Sequence, residues 1–340
     1  MTKLSMIKLV GIASVLLLIF YPAYAEQKPV IIKIATLAPD GSAWIESLKK
    51  IDMEVAEKTG NIVRFKLYPG GVLGDEKDML RKMHIGQIQA AVLTSSGLSA
   101  IFSEMDVFQI PFLFRDHQEV DFVTGKMDAF FKKGFEDKGY AMLGWSEGGF
   151  VRLMSVIPVD SLEKLRKAKV WTWADSPMAA IIFEEAQVSG IPLSVPDVLV
   201  GLQTGLVDVV YAPPSGAIAL QWFTKIKYIT DVPLIYLVGS LVIKKSVFHQ
   251  ISPDHQAVLK DSFERNMDEL KIVIRKENQE ALEVMAKHGV KILKPSEEEI
   301  KKFKDLSDRA MQRIKGHSFS KKVREEIEGY LRAYRGGNTQ

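Results

Sequence analysis

The chain has 340 residues, with 45 Lys and Arg against 42 Asp and Glu, six His and no Cys. A formal charge of +3 with no basic stripe excludes nucleic acid as a partner. The missing thiols exclude disulfides, thiol chemistry and Cys-ligated metal.

Residues 1–25 read as an export signal. Lys3 and Lys8 precede an apolar run from Leu9 to Phe20, and Ala23-Tyr24-Ala25 is a small-x-small cleavage site. The run is shorter than the ~20 residues that span a bilayer, and no Cys follows it to carry a lipid. The expectation is a periplasmic protein, cleaved after Ala25 and starting near Glu26. Taking 25 residues from 340 leaves 315, with a charge of +1 once Lys3 and Lys8 are gone. That length suits two domains.

Strand and helix then alternate. Ile31 to Ile34 reads as a strand, Ala43 to Lys58 as an amphipathic helix and Val63 to Leu67 as a second strand. Tyr68-Pro69-Gly70-Gly71 and Leu73-Gly74 make a tight loop. Phe122 to Lys138 reads as a helix and Ala141 to Trp145 as a strand. Gly148-Gly149 marks a hinge into a second domain, which runs from Phe150 to Tyr236. Leu237 to Ile243 reads as a strand returning to the first domain. Asp254 to His288 is a long charged helix stopped by Gly289, and Pro295 to Arg335 holds at least two more helices. The expected division is 26–149 plus about 237–253, then 150–236, then a helical region, 254–340, that bridges and packs on both domains.

A twelve-residue pattern occurs twice, at Asp78 to Gln89 and at Asp197 to Asp208, running into Ala-Ala-Val-Leu and Val-Val-Tyr-Ala. Each copy reads as a helix ended by Gly, which tolerates φ > 0, and then a buried strand. Upstream of each lies a strand and a polar helix start: Lys33 to Thr36 before Asp40-Gly41-Ser42, and Lys169 to Thr172 before Asp175-Ser176-Pro177. The fold class is therefore α/β, with two similar halves and a cleft between them suited to a small ligand.

No catalytic constellation stands out. The six His show no ligand spacing, and Gly-x-Gly-x-x-Gly, a Walker phosphate loop and Gly-x-Ser-x-Gly are all missing. The reading is a binding protein without cofactor or metal, not an enzyme. The aromatic residues carry more. Trp171 and Trp173 alternate on one strand and face the same way, at the carboxyl end where open α/β sheets bind ligands. Trp145 closes another strand, Trp44 opens the first helix, and Trp222 reads as core.

Ala38-Pro39-Asp40-Gly41-Ser42-Ala43-Trp44 and Tyr68-Pro69-Gly70-Gly71-Val72-Leu73-Gly74-Asp75-Glu76 resemble the extracytoplasmic solute-binding proteins of tripartite ATP-independent periplasmic (TRAP) transporters. The likeness continues in order through Ile110 to Phe114, Leu162 to Val170, Leu202 to Asp208 and Gly289-Val290. It implies a two-domain, clam-like receptor with a long helix spanning both domains, serving membrane permease subunits. It also admits the subgroup that works with a tetratricopeptide-repeat periplasmic partner on hydrophobic ligands.

Three departures from the family pattern bear on the ligand. The usual Lys-Ile-Arg strand, whose Arg grips a carboxylate, is Lys169-Val170-Trp171 here. The usual Gly-Phe-Arg is Gly149-Phe150-Val151-Arg152, and a one-residue shift turns a strand side chain to the other face. The usual Glu-Asn-Pro is Tyr211-Ala212-Pro213. Losing a charge-assisted bidentate contact removes about 1.5–3 kcal/mol and leaves a buried carboxylate uncompensated. Apolar burial against the rings yields about 25 cal/mol per Å². The expected ligand is hydrophobic or amphipathic; a cation stacked on the rings, with Glu147 or Asp175 as counter-charge, is the other option. The candidate ligand-binding residues are Trp44, Glu76, Ser95, Trp145, Glu147, Arg152, Trp171, Trp173, Asp175, Tyr211 and Ala212. Two alternatives stay open: an ordinary organic-acid receptor that uses Arg152, and a ligand-sensing subunit of a signalling system.

Overall fold

The computed structural model describes residues 29–174, 176–314 and 318–337. The export signal and Asp175 lie outside the described residues.

The first lobe is built on a sheet of β1 (Val30–Thr36), β2 (Val63–Tyr68), β3 (Ala90–Thr94), β4 (Tyr140–Met142), β5 (Ser146–Phe150) and β11 (Tyr236–Lys244). Its order is β2-β1-β3-β11-β4, with β5 pairing one end of β11. β1 runs parallel to β2 and β3, and β11 runs antiparallel to β3, β4 and β5. The second lobe's sheet comprises β6 (Arg152–Ser155), β7 (Val170–Trp173), β8 (Gly190–Leu193), β9 (Val209–Ala212), β10 (Tyr228–Thr230) and β12 (Lys291–Leu293). Its order is β12-β10-β6-β9-β7-β8. The fold class read from the sequence holds: an α/β protein with two sheets and a long helix.

The helices follow from apolar spacing and caps. α1 (Ala43–Lys58) buries Ile45, Leu48, Ile51 and Val55, a single 3.6-period stripe. α2 (Glu76–His84) is opened by Asp75 in a capping box with Asp78. α3 spans Ser95–Ile101. α4 (His117–Asp137) begins earlier than periodicity alone indicates, because the Glu119 amide donates to Asp116 Oδ1 at 2.8 Å and fixes the first turn. α5 (Leu162–Lys167), α6 (Pro177–Ala186), α7 (Val198–Thr204) and α8 (Pro214–Ala219) belong to the second lobe; α9 (Lys245–Phe248) follows β11. The duplicated pattern is α2–β3 and α7–β9, each helix followed by a Gly at positive φ, Gly86 and Gly205.

α10 (Pro253–Lys287) is the long bridge. As far as Ile274 it buries Leu259, Phe263, Leu270 and Ile274 in the first lobe's core, and beyond that it buries Ala281 and Met285 in the second lobe's. α11 (Glu297–Arg313) then packs on α5 and α6, and α12 (Lys321–Gly337) on α4. The region after 254 is not wholly helical: β12 adds an edge strand to the second sheet through β10. Three residues are too few to show a period of two.

Two segments cross between the lobes side by side. The Val151 amide donates to Ile235 O at 2.9 Å, and the Leu234 amide to Val151 O at 3.0 Å. Gly148-Gly149 lies just before this crossing, inside β5 rather than in a loop, where the register against β11 shifts by a bulge. Gly149 has φ +99, and a Cβ there would stand 2.6 Å from Asn278 Nδ2 on α10. The same Asn278 donates to Gly148 O at 2.8 Å and accepts from the Ser215 amide at 3.0 Å. The bridge helix is thus pinned to the crossing and to α8.

Candidate ligand cavity between the lobes

A cavity of about 310 Å³ lies where the carboxyl ends of the strands meet, within the range of small-molecule sites. The first lobe contributes Thr36 to Pro39 after β1, Thr94 to Ser96 after β3, Glu76 and Trp44. The second contributes Trp171 and Trp173 from β7, and Tyr211 and Ala212 from β9. Trp171 stacks on Tyr211 with ring centroids 4.7 Å apart and meets Trp222 edge-on at 5.4 Å. Its indole N–H donates to Leu193 O at 3.0 Å, so the ring is fixed. Trp222 is both core and cavity wall. Burial pushes the Tyr211 phenol up to about 12.

Trp173 does something the sequence did not announce. Its indole N–H donates to Asp75 Oδ2 in the other lobe at 3.0 Å, and the Val195 amide donates to the same oxygen at 2.9 Å. Asp75 Oδ1 meanwhile accepts from the Glu76 amide at 2.7 Å. One carboxylate caps α2 and holds the two lobes together.

The acids of the lining are not free counter-charges. The Glu147 carboxylate accepts from Arg275 Nε and Nη2, both at 2.9 Å, and Arg275 also forks to Asp121 at 2.7 and 2.8 Å. Burial opposes the charge of Arg275, but its bonds to Asp121 and Glu147 outweigh that and raise its pKa. Trp44 donates to Glu147 O at 3.1 Å. Glu76 is buried and accepts from the Thr94 amide at 2.6 Å and the Thr94 hydroxyl at 2.9 Å. Desolvation pushes it up to about 8, against the lowering effect of the Thr94 amide, and the neighbouring Asp75 adds to the rise. Among the described residues no Lys, Arg or His lines the cavity.

Of the residues singled out in the sequence, Trp44, Glu76, Ser95, Glu147, Trp171, Trp173, Tyr211 and Ala212 come together here. Trp145 does not: β4 ends at Met142, Gly144 turns the chain at φ +108, and the indole packs on Phe108 and Phe131 and donates to Asp128. Arg152 does not line the cavity either; its Nε faces Asp231 Oδ1 at 3.4 Å. Asp175 lies outside the described residues. Asp75, Val195, Phe183 and two residues of α11, Phe303 and Leu306, were not legible as site residues.

The sequence profile of the DctP family, bacterial extracellular solute-binding protein family 7, matches residues 34–317. The chain belongs to this family. It is a solute-binding receptor of the TRAP type, not an enzyme, and such receptors are periplasmic and hand small ligands to membrane permease subunits. It is 26% identical over 250 residues to the 2,3-diketo-L-gulonate-binding periplasmic protein YiaO of Escherichia coli, covering 72% of this chain and 75% of that one. It is 26% identical over 293 residues to the C4-dicarboxylate-binding periplasmic protein DctP of Rhodobacter capsulatus, covering 83% and 84%. Two solved structures share its fold. The sugar acid binding protein DctPAm from Advenella mimigardefordensis, in complex with galactonate, has a TM-score of 0.84 at 20% identity, covering 90% of this chain and 99% of that one. A TRAP periplasmic solute binding protein from Desulfovibrio salexigens, with bound orotic acid, has a TM-score of 0.82 at 20% identity, covering 89% and 99%.

Proposed function

We propose that this receptor captures a hydrophobic or amphipathic organic molecule, not a small organic acid. The observation that carries the reading is the cavity wall: Trp171, Trp173 and Tyr211 on one side, and no basic side chain among the described lining residues. A carboxylate buried there meets no cation: no basic side chain among the described residues lines the cavity, Glu147 is already paired with Arg275, and Glu76 is held by Thr94. A cationic ligand fares little better, since Arg275 already occupies Glu147.

The relatives named for a diketogulonate and a C4-dicarboxylate favour the organic-acid reading. In this chain that reading needs Arg152 to leave Asp231 and enter the cavity. Calorimetry separates the two. Succinate, malate and galactonate are expected to show no micromolar binding, whereas native mass spectrometry of protein purified without refolding is expected to show a retained apolar or amphipathic molecule. Micromolar succinate binding that vanishes in Arg152→Ala overturns the proposal. The same reading carries a cleavage after Ala25, tested by N-terminal sequencing of the exported protein. It also admits a tetratricopeptide-repeat partner beside the permease subunits, tested by co-purification from the periplasm.

A further inference from the structure

The cavity does not end at the indoles. Its lining takes in Tyr211, on β9 of the second sheet, and residues of the other core cluster of the second lobe. There Leu153, Leu165, Ile182, Val188, Phe303 and Leu306 line it, from β6, α5, the α6 region and α11. Leu153 and Leu165 belong to the core cluster between that sheet and its covering helices, a cluster separate from the one that holds Trp171. Protein cores are normally close-packed; this one opens into the ligand cavity along an apolar slot.

The slot's roof is held in place. Arg309 Nε meets Glu185 Oε1 at 2.6 Å and Arg313 Nη2 meets Glu184 Oε1 at 2.7 Å, tying α11 to α6. Glu299 at the start of α11 accepts from the Leu162 amide at 3.0 Å. At the opposite end of the cavity lie the polar groups: Thr94, Ser95, Ser96 and Gln109, beside Glu76. The cavity thus has one apolar end inside the second lobe and one hydroxyl-rich end on the first, with no cation between them among the described residues.

We propose that the slot takes the extended tail of a single-chain, uncharged amphiphile whose hydroxyl-bearing head is bound by the first lobe at Thr94, Ser95 and Ser96. This rests on the reading of the site as one for an apolar or amphipathic ligand and names the class within it. A head without charge fits a wall where carboxylate and ammonium each lack a free partner. A flexible tail fits a slot lined from four directions by aliphatic and Phe side chains.

The test is a chain-length series of n-alkanols, from butanol to dodecanol, with the matching carboxylates, measured by calorimetry on the full mature receptor. Affinity is expected to rise about three- to fourfold per methylene and to be at least tenfold weaker for each carboxylate than for its alcohol. Two slot-filling variants, Leu165→Trp and Ala186→Phe, the latter at the lining residue that ends α6, are expected to abolish the gain for long chains, so that dodecanol binds no more tightly than butanol. Dodecanol carrying a terminal diazirine, photolysed on the wild-type protein, is expected to label α5 or α11, and this readout needs no variant to fold. Binding of apolar molecules with no dependence on chain length, or a label confined to the first lobe, overturns the slot while leaving the proposed function standing. Binding of no apolar molecule at all, short or long, overturns both.

Discussion

Glu76 is the residue whose surroundings run furthest against its charge. It sits under Thr94 with 4% of its surface exposed, and a Cβ on Gly97 would approach its Oε2 to 2.6 Å, so only Gly leaves it room. Its folded pKa of about 8 stands above the ordinary 4.5. An acid raised in this way contributes stability that is fully present below the unfolded value and is lost as pH rises through the folded one. Unfolding free energy is therefore expected to fall between about pH 4.5 and 8, by on the order of a few kcal/mol, and to level off by about pH 9. Glu76→Gln keeps an oxygen for the Thr94 amide and removes the proton. Urea unfolding across that range is expected to show the variant flatter than wild type and the more stable of the two at pH 9; parallel curves refute the assignment. Little of this was legible in the sequence. Glu76 was recognisable as a site residue only through its place after a resembling loop, because burial and the Thr94 contacts come from a strand 18 residues away. Trp171, Trp173 and Tyr211 were legible, since strand ends in α/β sheets face ligand. Trp145 misled because its position after an apolar run resembled theirs, while Gly144 turns it into the first lobe's core.

At the scale of elements, α10 does more than lie across the lobes. Arg275 on its third quarter reaches Glu147 on β5 and Asp121 on α4, while one turn later Asn278 reaches Gly148 and Ser215. Glu147 is 5% exposed, so removing its partner leaves a buried charge without compensation. Arg275→Leu is expected to cost about 3–5 kcal/mol in urea unfolding. Adding Glu147→Gln to that variant is expected to recover most of the loss, because the stranded charge is then gone. If the double variant is no more stable than the single one, the loss is due to packing of the Arg stem and not to the ion pair. The helix itself was readable from its 3.6 period and from the Gly289 stop. Its partners were not: Arg275 and Glu147 are 128 residues apart, and periodicity says which face is buried without saying against what. The same limit hid Phe303 and Leu306, two residues on the buried face of α11 that complete the cavity. Short strands such as β6, β10 and β12 were missed for a different reason, since three or four residues show no alternation and their pairing is set by the sheet they join.

Over the whole molecule, the two adjacent crossings near Val151 and Ile235, the bridge helix α10 and the passage from α11 to α12 join the lobes, and if the receptor works by hinge motion the contacts between the lobes at Trp173 are expected to favour the closed arrangement. Asp75 is the central one: a carboxylate of the first lobe accepts from the Trp173 indole and the Val195 amide of the second. Beside it, Gly71 lies so near Pro196 that an added Cβ would stand 2.8 Å from the proline ring. These bonds join the two lobes, so any opening of the lobes has to break them, and they are expected to favour the closed arrangement. A hydrogen bond to a charged acceptor contributes about 1.5–3 kcal/mol. Trp173→Phe keeps an aromatic wall and removes one such donor, and is expected to shift the equilibrium toward open by roughly ten- to a hundredfold. Apparent affinity for the retained ligand falls by that factor if closure is required for tight binding, and small-angle scattering at a fixed subsaturating ligand concentration is expected to give a larger radius of gyration than wild type. Asp75→Asn is the companion variant: with its oxygen kept at the α2 cap, its NH2 group faces the Trp173 indole and the Val195 amide, two donors, and cannot accept from either. Equal radii for wild type and both variants, with affinity lost all the same, would make Trp173 and Asp75 parts of the ligand's own contact surface and leave closure to the hinge and the ligand alone.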